Sequence, residues 1–332
     1  MDIRNIRELK NFASERLANG RDVKRIVLIY AGLTVALTLL VTVVDYALGL
    51  RLDQLGGLSN MGTRSTLSAV QTLLPLVQSM VSTCLLVGFL AAMLRVARGQ
   101  YVSPQTLRLG FDRFWVLLRA TVIKTLLYTS TVMLCAYFGV MIYMMTPMAR
   151  NVMELLMPYV SDTSVLNSAI VLEDAVYAQF TSMLWPAYLI CGILLAAMVL
   201  PMVYNFRMVH YVIIDKPGLG AMAALRESKK MMRRNRLALF KLDLSLWWYY
   251  LAMAAATVLG HGDLILPMLG VELPWPTEVS YFLFYILYLA ASVAIYYFLL
   301  DKVEVTYGLA YDALKPEEKQ DSGVVLGNIF QM

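Results

Sequence analysis

Charge is scarce in this chain: Asp, Glu, Lys and Arg make up 15% of its 332 residues. Soluble domains carry about 25%, so a solvated globule of this length is excluded. Histidine occurs twice. His210 and His261 are separated by a whole apolar run, which argues against a shared zinc ion. The three cysteines, Cys84, Cys135 and Cys191, each sit inside an apolar run without Cys-x-x-Cys spacing. They read as packing residues rather than disulfide or metal partners. No Gly-x-Ser-x-Gly, His-Glu-x-x-His or Walker sequence is present. "GLG" at 218–220 lacks the strand context of a dinucleotide fingerprint. No cofactor, metal or catalytic set is therefore expected, and the expectation is a non-enzyme. No Ala-x-Ala-like site follows the first apolar run, so that run is expected to remain in the mature protein. Alternating segments of about 10 residues, the mark of a membrane β-barrel, are also missing.

What the chain does have is apolar sequence, 59% by residue, with a mean hydropathy of +0.64. It is gathered into runs of about 20 residues or more, each able to cross roughly 30 Å of hydrocarbon. Backbone polar groups there must be satisfied internally, which dictates helices. The expected fold is all-α and polytopic, with six transmembrane helices near 26–47, 70–93, 115–145, 182–204, 239–259 and 279–300. The third run exceeds a minimal span and should tilt. Residues 1–315 read as one integral membrane domain and 316–332 as a flexible cytoplasmic tail. The tryptophans Trp115, Trp185, Trp247, Trp248 and Trp275 lie at or near expected span ends, the place amphipathic rings favour.

Basic residues fix an expected orientation. Arg4, Arg7, Lys10, Arg16, Arg21, Lys24 and Arg25 precede the first run. Arg95, Arg98, Arg108 and Arg113 follow the second. Nine Lys and Arg lie between Arg207 and Lys241. Lys302, Lys315 and Lys319 follow the sixth run. Only Arg51, Arg64 and Arg150 fall in the opposite connections, which also hold Asp162, Glu173, Asp174, Asp263, Glu272 and Glu278. The positive-inside rule then puts both termini in the cytoplasm of a multi-pass protein of the bacterial cytoplasmic membrane. A calculated pI near 9.0 is explained by anionic lipid headgroups as partners, without nucleic acid.

The basic segments also carry helical periodicity. In "NIRELKNFASERLANGRDVKR", Ile6, Leu9, Phe12 (or Ala13) and Leu17 share one side. Ser103 before Pro104 reads as an N-cap with proline at the first helical position. In Ala221–Arg236, Met222, Leu225 and Met232 form an apolar side. Lys229, Lys230, Arg233 and Arg234 face water, headgroups or a protein partner. These three cytoplasmic amphipathic helices precede spans one, three and five. Two readings stay open: ordinary connectors, or three pseudo-repeated helix-plus-hairpin units near 6–94, 103–204 and 218–300.

Three segments carry a resemblance. "RELKNFASERLANG", "ALRESKKMMRRNRLALFKLDLSLWWYYL" and, after the last run, "VEVTYGLAYDAL" are similar to the bacterial DUF975 family. The resemblance covers about residues 4–315 and departs at 146–180 and after Lys315. It implies an integral membrane protein and supplies no catalytic residues.

Few polar residues stand at membrane depth. Lys124 lies about nine residues into the third run, some 13 Å deep by helical rise. It either snorkels or pairs, or it contacts a substrate or ion. Asn205 and Arg207, with His210 and Asp215, form a polar exit from the fourth run. Asp243 reads as an ion-pair partner beside Lys241. Asp301 and Glu304, just past the sixth run and next to Lys302, read as solvated at the interface.

Three functions compete: a non-enzymatic accessory, scaffold or assembly protein whose basic helices meet anionic lipid or a membrane or cytoplasmic protein partner; a small-solute or lipid transporter; and a lipid-modifying membrane enzyme. The orientation has a direct check. Cysteines placed near Asn167 and Gly270 should label from outside intact cells, and those near Lys230 and Lys319 only after permeabilisation. External labelling near Lys230 would reverse the assignment.

Overall fold

The structure, a computed structural model, describes residues 5–18, 20, 22–54, 61–160, 174–271 and 274–315. Arg4, Arg21, Asp162, Asn167, Glu173, Glu272, Lys319 and the expected tail 316–332 lie outside the described residues.

Every long element is a helix. Among the described residues, five stretches are long and apolar enough to cross a membrane: Val23–Leu52, Gly62–Ala97, Phe114–Met144, Gln179–Asp215 and Val279–Leu314. A sixth counts only if Arg236–Ser245 and Trp247–Gly260, which meet at a 64° bend, form one span. The chain is thus a polytopic α-helical membrane protein. Large apolar side chains such as Leu40, Leu76, Leu126 and Ile193 point outward from these helices. In water such exposure would be sticky; in hydrocarbon it costs nothing.

In order, the helices are α1 (Ile6–Ala18), α2 (Val23–Gln54), α3 (Met61–Ala97), α4 (Leu109–Asp112), α5 (Phe114–Met144), α6 (Pro147–Val160) and α7 (Asp174–Asn205). There follow α8 (Val209–Asp215), α9 (Ala221–Met232), α10 (Arg236–Ser245), α11 (Trp247–Gly260), α12 (Gly262–Met268), α13 (Thr277–Ile295) and α14 (Asp301–Leu314). They form two compact units: Met1–Arg119 with Met208–Met332, and Ala120–Arg207.

In the first unit the core lies at the C-terminal half of α3, against α14, α1 and the short helices. Phe89, Ala92 and Met93 are fully buried, as are Leu9, Val305 and Ala310. Phe89 stacks on Tyr30 of α2 with centroids 4.4 Å apart. Helix α3 can be approached closely because small residues recur at Cys84 and Gly88, one turn apart. A Cβ on Gly88 would sit 2.0 Å from the Leu107 carbonyl oxygen, and one on Gly110 would sit 1.8 Å from that of Cys84. The 3₁₀ turn Pro104–Arg108 and α4 therefore rest backbone-on-backbone against α3. Ser103 has the extended backbone of an N-cap and Pro104 opens the turn, as expected, but the Ser103 side chain makes no capping bond.

Several sequence expectations change. The fifth span, expected as one helix over 239–259, is broken at Leu246. The sixth does not stop near 300: a π-helical turn, Tyr296–Leu300, carries it into α14. Helix α14 is the most buried element, not a polar end, because Val303, Val305, Tyr307, Ala310 and Tyr311 are packed inside. On α1 the apolar side runs through Leu9 and Ala13, while Phe12 is exposed. On α9 it uses Ala224, Leu225, Ser228, Met231 and Met232, and Met222 lies outside it. In both helices the smaller residue wins because the apolar face packs on protein, where close approach pays more than bulk.

The second unit pairs α5 with α7. The Tyr143 hydroxyl donates to the Met183 carbonyl at 3.0 Å. A Cβ on Gly139 would meet the Cys191 Sγ at 2.3 Å, so the two helices touch there. Cys84 and Cys135 are buried and Cys191 is half-buried, all three as free thiols.

The backbone contact at α3 sets a test. Gly110→Ala should lower stability by about 1–3 kcal/mol, as overpacking does, read as a fall in apparent melting temperature in detergent. Gly32→Ala, where nothing lies within 4 Å, should leave it unchanged. Equal melting of both variants would refute the close packing.

Candidate functional site

The charged side chains of the first unit gather where its long helices end. Arg98 follows the last turn of α3, Asp215 ends α8, and Asp312 and Lys315 close α14. The Arg98 Nη2 donates to Asp215 Oδ1 at 2.8 Å and to Asp312 Oδ1 at 2.7 Å. Its Nε donates to Asp312 Oδ2 at 3.0 Å, completing a two-pronged bond that lysine cannot make. These bonds, Asp312 foremost, hold the Arg98 guanidinium above its ordinary pKa, so it stays charged throughout. Lys315 also pairs with Asp215. The Tyr311 hydroxyl donates to Asp215 at 3.2 Å, and its ring stacks on Tyr211. Tyr211 donates onward to Glu304 at 3.0 Å.

A second cluster lies at the π-helical turn. Such a turn leaves carbonyls without their usual partners. Lys24 supplies one, donating its Nζ to the Tyr297 carbonyl at 2.5 Å. The same ammonium lies 2.7 Å from Asp301 and over the Tyr297 ring at 4.9 Å. Asp301 is only 2% exposed. It is therefore a buried ion-pair partner rather than the solvated interfacial acid expected. Glu304, expected to be solvated too, is instead the acceptor for Tyr211. Asp243 accepts from the Tyr307 hydroxyl, whose oxygen is 2.7 Å from that of Tyr250.

A cavity of about 340 Å³ opens beside the Arg98 clamp. Arg95 and Arg113 line it with Arg98 and Asp215. Arg113 donates to the Pro217 carbonyl, and Arg95 reaches Thr106 Oγ1 at 3.4 Å. Among the described residues, no three His, Cys, Asp or Glu side chains stand close enough to hold a metal ion.

The residues singled out from sequence divide into two places. On α9 and the residues just after it, Lys229, Lys230, Arg233 and Arg234 are all exposed and occupy one side, opposite the buried Leu225, Met231 and Met232. Lys216 and Glu227 close the same segment with an ion pair at 2.5 Å. In the second unit, Arg207 is near enough to act electrostatically on both Lys124 and Tyr128, one turn apart on α5. Asn205, the last residue of α7, is half-buried beside them in sequence. Lys124 is half-buried, which fits neither a bare lipid-facing lysine nor a fully enclosed one.

Sequence reasoning missed Arg98, Asp215, Asp312 and Lys24 as partners. One signal was available. Asp215 is an acid in an otherwise basic segment at a helix end, and an acid in such company is placed to neutralise a neighbour.

Helices of this length and composition, with few charges along them, define a multi-pass α-helical membrane protein. Within that class the chain belongs to the DUF975 family, described as proteins of unknown function, whose family model matches residues 1–314. Comparison with curated proteins and with solved structures finds no match. The matched range takes in the whole of α14 and every member of the two charged clusters except Lys315.

The clamp is testable. Arg98→Met leaves two carboxylates short of their donor and should cost about 1–3 kcal/mol, seen as a lower apparent melting temperature. Arg98→Lys should recover only part, since it cannot bond Asp312 through two nitrogens. Full recovery by lysine would show that charge alone matters.

Proposed function

We propose that the protein is a non-enzymatic accessory, scaffold or assembly protein of the bacterial cytoplasmic membrane, and that its basic face on α9 contacts anionic lipid. The observation that carries this reading is the pattern of exposure on that helix. Four cations, Lys229, Lys230, Arg233 and Arg234, stand together on the outside while the opposite side is packed into the first unit. The helix is held by its apolar side, so the cations are presented on a fixed support. Each such residue near an anionic leaflet contributes about 1 kcal/mol, less with salt. The reading includes the expected orientation, with both termini and α9 on the cytoplasmic side.

Transport of a small solute or lipid is the second reading. It is favoured by the proximity of Lys124 and Arg207 in the second unit, two cations where hydrocarbon would disfavour both. The idea of three repeated helix-plus-hairpin units gains no support from the form of the segments. A helical segment precedes each expected pair, yet α1 has 13 residues, α9 has 12, and the middle one is a five-residue 3₁₀ turn followed by four α-helical residues.

Replacing Lys229, Lys230, Arg233 and Arg234 by Gln in the full chain tests the main reading. Native mass spectrometry from mild detergent should show several-fold less retained phosphatidylglycerol and unchanged phosphatidylcholine. Retention of both lipids at the original level, with loss of a co-purifying protein, would replace lipid by a protein partner at this face.

A further inference from the structure

The break between α10 and α11 opens a second cavity, of about 240 Å³. Its wall is formed by Leu246, Trp248 and Tyr249 at the break and by Leu299 and Val303 from the sixth span. Its cationic side chains are Lys10 of α1 and Lys302 of α14. These two lysines come from opposite ends of the chain and line one small, largely apolar hollow.

Both lysines retain donors for a ligand. Lys10 is held in place by one bond, from its Nζ to the Ser245 carbonyl at 2.6 Å, which leaves two of its three N–H groups. Lys302 is exposed. The residues lining the hollow include these two lysines and no acid, and the nearby Asp301 is paired with Lys24. The hollow therefore carries positive charge against an apolar wall, which an anion with an apolar body would match. Trp248 of the wall stacks on Trp247 with centroids 3.8 Å apart, and both are exposed. Leu244 and Leu251, on either side of the break, are exposed too, so a chain leaving the hollow finds apolar side chains on these helices.

We propose that this cavity is a phospholipid site, in which Lys10 and Lys302 bind the phosphate of an anionic lipid and the Leu246–Trp248 wall takes the glycerol and the first acyl carbons. The site is separate from the basic face of α9 and does not rest on the reading of that face.

The test uses the full chain in neutral detergent, with bound phosphatidylglycerol counted by native mass spectrometry across a lipid titration. The wild type should show one tight lipid. The Lys10→Gln/Lys302→Gln double variant should weaken it by about tenfold or more, as expected for two charge-assisted contacts. Replacement of the four α9 cations should leave that lipid in place. Lys10 also supports Ser245, so Lys302→Gln alone must weaken binding severalfold in a variant that melts like wild type, and Lys10→Arg must preserve it. Undiminished binding in Lys302→Gln would overturn the proposal. So would equal affinity for phosphatidylcholine. Displacement of the lipid by equimolar inorganic phosphate would also overturn it, by showing a free-anion site.

Discussion

Arg98 ties together parts of the chain that nothing local would bring to one level. Its partners stand 117 and 214 residues away, at the ends of α8 and α14. A helix in hydrocarbon satisfies its own backbone and gains little from burying apolar side chains against a neighbour, since lipid is equally apolar. Association must then come from close packing and from polar bonds where the helices leave the hydrocarbon. The guanidinium supplies the polar part for α3, α8 and α14 at once. The packing part is supplied a few turns away by Gly88 and Gly110, where only hydrogen fits between backbones. With these two constraints set, α14 has one place to lie, and α1 packs over it.

The two charged clusters divide the work along α14. Asp301 at its start is tied to Lys24 and so to α2. Asp312 at its end is tied to Arg98 and so to α3. Between them the buried side is apolar or carries hydroxyls that find partners, as those of Thr306, Tyr307 and Tyr311 do. A buried carboxylate is costly without its cation. Pinning each end of a buried helix by such a pair fixes its axial position, a discrimination that apolar contacts alone supply weakly.

Much of the architecture was legible because hydropathy over some 20 residues is a strong local signal. The first four spans and the basic connections could be placed by it, and the exposed side of α9 followed from helical spacing. The bend at Leu246 could not be read, because "LDLSLWWYYL" contains neither proline nor glycine, and Asp243 and Ser245 before the aromatic run look like the polar start of one span. The depth of α14 was hidden for a related reason. Asp301, Lys302 and Glu304 look like an interfacial end, and only a tertiary partner such as Lys24 makes Asp301 an interior residue. Met222 was misplaced, and Phe12 and Ala13 were left as alternatives, because periodicity selects a side of a helix but not which of two adjacent residues meets the neighbour. Pairings such as Arg98 with Asp312 leave no local trace at all.

The π-helical turn at Tyr296–Leu300 bears on how this chain tolerates change. Each residue added to an α-helix turns everything after it by about 100°. A wide turn absorbs one extra residue without ending the helix, so the sixth rod carries two phases. Helix α13 is phased to meet α11, while α14 is phased independently to seat Tyr307 and Tyr311 inside. The turn acts as a coupling between two gears cut separately. Sequence drift in the lipid-embedded half need not disturb the tooth pattern of the buried half, as long as the residue count across the coupling is kept.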